Sequence, residues 1–183
     1  MKLGVLPIGK ADRFIMVRIK ENLARVFPNI ACVVVEEQFP LREEAFDEKR
    51  QQYQSHVMLG EVQGYAIRKV GLNRVLGVVD ADIFVPKLSF VFGEATSPGK
   101  AALISLWRLK PEFYGDPADL ELLLERAVKE AVHELGHTFG LWHCSCSSCV
   151  MHFSNSISDT DIKQSIFCDK CHLHAKISIK NLG

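Results

Sequence analysis

The chain has 183 residues, enough to bury one substantial hydrophobic core but few for two independent domains, so we expect one domain. Lysine plus arginine and aspartate plus glutamate each number 22, and the formal net charge is zero. No basic excess is therefore available for nucleic acid or for an anionic membrane surface, and we expect neither as a partner.

The N-terminal residues lack the long apolar run and the small-residue cleavage site of a signal peptide. No later stretch approaches the roughly 18 apolar residues that a membrane-spanning helix needs. We therefore expect a cytoplasmic, soluble protein. We also expect a monomer.

The beginning of the chain has the pattern of a βαβ unit. Residues 2–9 are apolar and end at a glycine, which predicts a strand. Residues 12–27 place apolar side chains three and four positions apart, as on an amphipathic helix. Residues 30–37 are rich in β-branched side chains and predict a second strand, joined to the first by a right-handed parallel crossover.

The middle of the chain adds one helix and more strands. The charged residues 41–54 predict an exposed loop or a solvated helix. A helix is predicted for residues 55–70, although Gly60 and Gly64 each cost it about 1 kcal/mol. Three further strands are predicted over residues 74–85, 88–95 and 101–109. The predicted fold class is α/β, with a mixed, mostly parallel twisted sheet and two covering helices.

Residues 116–140 have the clearest helical pattern of the chain. Asp116 can cap this helix, Pro117 suits its first turn, and Gly140 can end it. Beyond Gly140 the chain is polar, cysteine-rich and irregular, and only one short helix is predicted, opening near residue 158.

The end of the long helix carries a metal-binding pattern. His133 and His137 are four residues apart, so both imidazoles project from one helix face and can reach a single ion. Glu134 lies about 100° round the helix axis, where it can take a proton from water at that ion. The competing interpretation is that both histidines are ordinary, partly buried residues of an amphipathic helix.

The pattern continues past the helix in the run HELGHTFGLWH. Gly140 allows a left-handed turn that returns the chain toward the ion, and His143 can then supply a third ligand. Three neutral imidazoles leave a fourth zinc position for water, whose pKa zinc can lower to about 7. Gly136 costs the helix about 1 kcal/mol, and we expect close backbone packing to explain it.

Cysteines follow the third histidine directly. Two pairs, Cys144 with Cys149 and Cys168 with Cys171, have the spacings C-x4-C and C-x2-C. Clustered cysteines in a chain without a secretion signal favour zinc thiolates over disulfides, and four thiolates close a tetrahedral, structural site. The sequence therefore predicts two zinc sites that meet at the peptide bond between residues 143 and 144.

The choice of sulfur ligands stays open at this point. Cys146 is an extra thiol inside the first pair, and Cys32 stands alone far from the others. His152, His172 and His174 are alternative ligands for the second site.

The run HELGHTFGLWHCSCSSCVM, with CDKC after a spacer, resembles the archaemetzincins, a family in the metzincin clan of zinc metallopeptidases. The resemblance implies a metzincin-like fold, with Glu134 as the general base and Met151 as the methionine of the Met-turn, a hydrophobic floor beneath the histidines. It also implies two zinc ions per chain. Their ligands would be His133, His137 and His143 for the catalytic ion, and Cys144, Cys149, Cys168 and Cys171 for the structural ion.

The expected organisation is a single catalytic domain over residues 1–183. Residues 1–140 would form an upper subdomain that includes the active-site helix. Residues 141–183 would form a small, irregular lower subdomain with the Met-turn and the four-cysteine zinc site. Residues 88–99 precede the active-site helix, and the resemblance places such a strand along the upper rim of the cleft. A peptide could pair with that strand if one of its edges is free.

The leading functional hypothesis is a zinc metallopeptidase that hydrolyses peptide bonds with a zinc-activated water, Glu134 acting as general base and then as general acid. Peptides are the expected substrates. The resemblance implies aminopeptidase-like action as one option, although no residue is identifiable as an anchor for a free α-amine. The alternative is a catalytically weak, zinc-containing peptide-binding module of protease ancestry. A third hypothesis is a thiolate zinc module with idle histidines.

Overall fold

A mostly parallel sheet of five strands, in the order β2-β1-β5-β8-β7, is the centre of the fold. The structure is a computed structural model and describes residues 1–180. Its strands are β1 (Lys2–Ile8), β2 (Ala31–Val34), β3 (Phe46–Asp47), β4 (Gln52–Gln54), β5 (Arg74–Val79), β6 (Ile83–Phe84), β7 (Gly93–Ala95) and β8 (Ala101–Ser105). Its α-helices are α1 (Arg13–Val26), α2 (Ser55–Arg68), α3 (Leu120–Thr138), α4 (Ile157–Ile162) and α5 (Asp169–Lys180).

The central strands are apolar beyond their first residues because helices cover both faces of the sheet. Leu3 and Val5 of β1 pack into one core cluster with α1 and α3. Leu6 and Ile8, further along the same strand, pack into a second cluster with α2. A strand buried on both faces needs a continuous apolar run rather than an alternating one. The mixed α/β fold class predicted from the sequence is confirmed, with β7 as the antiparallel strand of the main sheet.

The βαβ opening has the predicted form. β1 and β2 pair in parallel, and α1 begins after Asp12, whose carboxylate accepts a hydrogen bond from the backbone N–H of Phe14 at 2.8 Å. The interior glycines of α2 do not interrupt it. No helix within residues 1–180 has the combination of length and apolar composition that crossing a membrane requires.

The segment 41–54 differs from its predicted form as an exposed loop or solvated helix. It contains β3 and β4, which form a second sheet with β6 in the order β3-β4-β6. The predicted strand over residues 74–85 is consequently divided between two sheets. Asp82 lies at the division, where its carboxylate binds Arg108 through two contacts of 2.7 Å.

The predicted strand over residues 88–95 is regular only from Gly93 to Ala95. The preceding backbone finds other hydrogen-bond partners: Arg50 Nη2 donates to the carbonyls of Leu88 and Ser89 at 2.7 and 2.8 Å. A side chain remote in sequence thus takes the place of a strand partner, which a local pattern cannot reveal.

The long helix α3 begins later than predicted. Its N-cap is Asp119, not Asp116, and the Asp119 carboxylate accepts from the N–H of Leu122 at 3.0 Å. The helix ends as expected at Gly140, whose φ is 83°. The N–H of Gly140 donates to the carbonyl of His137, and the next residue's N–H reaches the carbonyl of Gly136. These two bonds are the Schellman ending of a helix.

Helix α5 was not predicted from the sequence. Only Cys171 and Ala175 of this helix are buried, so it has no apolar stripe of the usual width, and Leu173 remains 56 % exposed. The segment after Gly140 therefore contains the predicted short helix, α4, and one further helix, α5. Residues 181–183, the end of the predicted lower subdomain, lie outside the described residues.

Candidate metal centres and cleft

Three histidine side chains converge at the end of α3. Each offers a ring nitrogen, and these nitrogens lie within 4.8 Å of one another, with 3.1 Å between the Nε2 atoms of His133 and His137. The Nδ1 atoms of these two residues lie 2.8 Å from the carbonyl oxygens of Val150 and Leu141. A carbonyl oxygen only accepts, so each Nδ1 carries the proton and each Nε2 keeps a free lone pair. This donor set fits zinc, whose tetrahedral nitrogen ligands lie about 3.3 Å apart.

The third imidazole comes from the turn rather than from the helix. The Schellman ending at Gly140 reverses the chain, and His143 then stacks on the ring of His133 with 5.3 Å between centroids. Phe153 also packs against His143, with 4.8 Å between the ring centroids. Two rings therefore contact His143 although this residue is exposed.

Burial keeps these imidazoles in the form that binds metal. It lowers the pKa of His133, and the nearby Lys163 ammonium lowers it further. Partial burial also lowers the pKa value of His137 and, although this residue is the most exposed of the three, that of His143. A neutral imidazole has a free nitrogen lone pair, so a low pKa suits a ligand.

Glu134 lies between the histidines and the sheet edge. Burial raises the pKa of its carboxyl, the Glu130 carboxylate adds to the rise, and the Lys163 ammonium opposes it. Its side chain lies directly against Gly93 of β7: a Cβ at Gly93 would be 2.6 Å from Glu134 Cγ and 2.8 Å from Oε1. Only glycine leaves room for the carboxylate at this position.

Met151 lies directly beneath the histidine-bearing helix. A Cβ at Gly136 would lie 2.3 Å from the Met151 sulfur and 3.2 Å from the ring of Phe167. The expected close backbone packing at Gly136 is thus present, and Met151 is fully buried. This contact brings α3 close enough for the carbonyl of Val150 to reach His133.

Four cysteine sulfurs form a second group behind the turn. The Sγ atoms of Cys144, Cys149, Cys168 and Cys171 lie within 4.8 Å of one another. Cys144 and Cys168 are 3.9 Å apart, close to the edge of about 3.8 Å for a tetrahedron with zinc–sulfur bonds of about 2.3 Å. A hydrogen bond from the backbone of Cys171 lowers the pKa of Cys168 to about 7, whereas burial raises that of Cys171 itself. The four sulfurs fit a closed zinc site.

The alternative ligands lie outside both groups. Cys146 is exposed, and its sulfur lies 3.3 Å from the Ser148 hydroxyl. His152 donates from Nδ1 to the carbonyl of Cys144 at 3.0 Å, so it supports the loop from the side. Within residues 1–180, neither His172 nor His174 joins a ligand group.

Backbone contacts link the two groups. The N–H of Cys144 donates to the carbonyl of Met151 at 2.9 Å, which closes the loop between the two residues. Val150, whose carbonyl orients His133, directly follows Cys149. Each group therefore shares a short backbone segment with the other at two places, residues 143–144 and 149–150.

A cleft of about 230 Å³ opens beside His133 and Glu134. Residues 88–93 form its roof and residues 153–155 one wall, while Glu130, one helical turn before Glu134, contributes a further carboxylate. β7 pairs with β8 on one side only, so the other edge of the strand is free among the described residues.

Sequence reasoning missed three residues of this region: Gly93, Glu130 and Lys163. Glu130 had a signal, because residues four apart on a helix share a face and Glu130 is four before Glu134. Gly93 and Lys163 lie 41 and 29 residues from Glu134 in the sequence and reach the site only through tertiary contacts. No local spacing could have predicted them.

Comparisons with known proteins agree with these motifs. The sequence profile described as Peptidase family M54 matches residues 12–177. The archaemetzincin of Pyrococcus abyssi is 53 % identical over 127 residues, which are 69 % of this chain and 67 % of that protein. The archaemetzincin of Sulfolobus acidocaldarius is 37 % identical over 180 residues, 98 % of each.

Solved structures agree in fold. The archaemetzincin from Methanopyrus kandleri has a TM-score of 0.83 and 36 % identity, covering 98 % of this chain and 96 % of that one. A zinc-dependent peptidase from Methanocorpusculum labreanum has a TM-score of 0.85 and 27 % identity, covering 94 % and 99 %.

The packing at Gly136 generates a direct test. Gly136→Ala should lower the free energy of unfolding by about 1 to 3 kcal/mol, because the new methyl group collides with the buried Met151 sulfur. Gly60→Ala is the matched control: Gly60 is also inside a helix, but no atom lies within 4 Å of its added Cβ. The free energy of unfolding of the Gly60→Ala variant should rise by up to about 1 kcal/mol. The free energy of unfolding of each zinc-loaded variant is measured by urea denaturation. Equal changes of the same sign in the two variants would contradict the packing role of Gly136.

Proposed function

The chain belongs to peptidase family M54, and from this membership we propose how it works as a zinc metallopeptidase: His133, His137 and His143 hold the catalytic zinc, and Glu134 moves the proton. The observation that carries the proposal is the convergence of three imidazole nitrogens beside a buried carboxylate, at a cleft roofed by a free strand edge. Peptides are the substrates of this site.

The proposed chemistry assigns one task to each group. Zinc bound here would supply Lewis-acid chemistry, polarising a peptide carbonyl and making water more acidic. The Glu134 carboxylate accepts the proton of the attacking water and returns it to the leaving amine. The contact with Gly93 and the position of Glu134 within α3 hold that carboxylate in one place. It therefore need not be reoriented during the reaction.

We assign a second zinc to Cys144, Cys149, Cys168 and Cys171, which makes two zinc ions per chain. Four thiolates leave no open position, so this ion serves structure. The ion would tie α5 to the loop that follows His143. Residues 1–140 then form the upper part of one catalytic domain, and residues 141–183 the lower part.

A catalytically weak peptide-binding module is the alternative function. The free edge of β7 supports peptide binding whether or not turnover follows. Turnover and binding must therefore be measured separately.

The edge of β7 supports an extended peptide as the bound form. The backbone N–H of Ser105 donates to the carbonyl of Phe92, and the backbone N–H of Thr96 donates to the carbonyl of Ala101. Residues 92, 94 and 96 therefore turn their backbone groups toward β8. The backbone groups of Gly93 and Ala95 consequently point away from β8. A substrate strand would pair with these two residues.

Replacing the general base gives the first test of the mechanism. Glu134→Gln should lose at least about 10²- to 10⁴-fold in peptide turnover, since one residue serves both proton transfers, while zinc content stays the same. Glu121→Gln is the matched control, because Glu121 lies on the same helix with its side chain 77 % exposed. Turnover of fluorogenic peptides and zinc analysis are measured together. Full activity of the Glu134 variant would exclude the assigned role.

Removing one sulfur tests whether the two zinc sites are coupled. Cys171→Ser should release one zinc and weaken the histidine site by about 10- to 100-fold, because residues 143–144 and 149–150 lose their clamp. Cys146→Ser is the control, since this exposed thiol lies outside the four-sulfur group and should change neither value. Chelator titration and circular dichroism are the measurements. An unchanged affinity of the remaining zinc in a folded Cys171 variant would mean that the sites are independent.

The strand-edge proposal can be tested without changing the fold. A series of substrate peptides, each N-methylated at one position, should lose about 10-fold in binding at alternate positions only, because a paired strand uses every second amide. Ala95→Pro removes the outward N–H from the protein and should weaken binding similarly. Proline at Glu94 would instead remove a donor to β8 and test only the sheet. A uniform loss along the peptide series would contradict strand pairing.

A further inference from the structure

A buried ion pair stands at the inner end of the cleft. Lys163 Nζ lies 2.9 Å from Glu130 Oε1, and the hydroxyl of Thr160 donates to the same oxygen at 2.9 Å. Lys163 is 1 % exposed and Glu130 is 3 % exposed. Breaking a buried pair by removing one charge is strongly destabilising, so the Lys163 ammonium serves as the buried counter-charge of Glu130.

The second oxygen of Glu130 is left for a ligand. Within residues 1–180, no group donates to Glu130 Oε2, while Glu130 itself lines the cleft. The hydroxyl of Ser154, on the wall of the same cleft, is buried and has no hydrogen-bond partner among the described residues. Polar atoms of this kind inside a cleft are available to pair with a bound group or with water.

The chemistry of the lining decides what that group is. Glu130 and Glu134 bring two carboxylates to the cleft, and no lysine or arginine among the described residues lines it, since Lys163 stays behind Glu130. The apolar part of the lining includes the rings of Phe90, Phe92 and Phe153. Aromatic rings and carboxylate acceptors together suit an apolar stem with a cationic end.

We propose that Glu130, held by Lys163, binds a lysine or arginine side chain of the substrate next to the scissile bond. Charge-assisted hydrogen bonds to Glu130 Oε2 and to the Ser154 hydroxyl select that side chain. This inference rests on the proposed peptidase function, because it names the substrate class of the same cleft. Lys163 acts as a positioning residue that never touches the substrate.

The test compares peptides that differ in one residue beside the cleaved bond. Lysine is set against norleucine, which has the same stem without the ammonium group, and against glutamate. The wild-type, zinc-loaded protein should prefer lysine over norleucine by about 10- to 100-fold in kcat/KM. Equal rates for the two peptides would overturn the inference, and this comparison does not depend on the folding of any variant.

Variants show whether Glu130 causes the preference for lysine over norleucine. The double variant Glu130→Gln with Lys163→Met removes both charges together, so no single buried charge is left, and the lysine preference should fall below about 3-fold. Thr160→Val is the control, because it removes only the hydrogen bond on the far oxygen and should keep the preference. A full lysine preference in the folded double variant would overturn the inference.

Binding separates this inference from the proposed activity. Fluorescence anisotropy of the same peptides on zinc-loaded Glu134→Gln reports selectivity without turnover. A lysine preference in binding with no cleavage by the wild type would support the Glu130 site and reject the peptidase proposal. Cleavage without a lysine preference in either assay would support the peptidase and reject the Glu130 site.

Discussion

A single left-handed residue at the end of α3 controls the geometry of both candidate metal centres. A straight helix can present two imidazoles to one ion, but its next residue on the same face lies about 5.4 Å further along the axis. The third imidazole must therefore arrive from a chain that has reversed. Gly140, with φ of 83°, makes that reversal, and it places residue 143 at the first group and residue 144 at the second.

The two halves of the chain contribute different things to the histidine group. The α/β half supplies a rigid helix, buried along most of its length, that fixes where His133 and His137 stand. The segment after Gly140 supplies the carbonyls of Leu141 and Val150, which fix how the two rings are turned. The position and the orientation of the two rings are thus set by separate parts of the chain. The contact between Gly136 and Met151 packs those two parts against each other.

Local spacing explains which features the sequence predicts well. The histidine and cysteine sets lie within short intervals, where chain geometry alone brings side chains together, and the structure does bring both sets together. The central strands of the main sheet follow from local apolar runs, and the long helices from local helical patterns. Features with a weak or competing local signal, or with a remote partner, escape such reasoning. Asp119 rather than Asp116 caps α3, α5 buries only two side chains, and Lys163 reaches Glu130 from another helix's end.

The free edge of β7 has a further consequence for how copies of this protein behave toward one another. An unpaired strand edge is a template for strand addition by any chain, including a second copy, and long, flat, apolar edges promote aggregation. β7 has only three residues, and one of them is the charged Glu94. So short an edge supports a few main-chain hydrogen bonds but no extended intermolecular sheet. The length of β7 thus limits strand addition between copies at this edge while leaving the edge accessible to a short peptide.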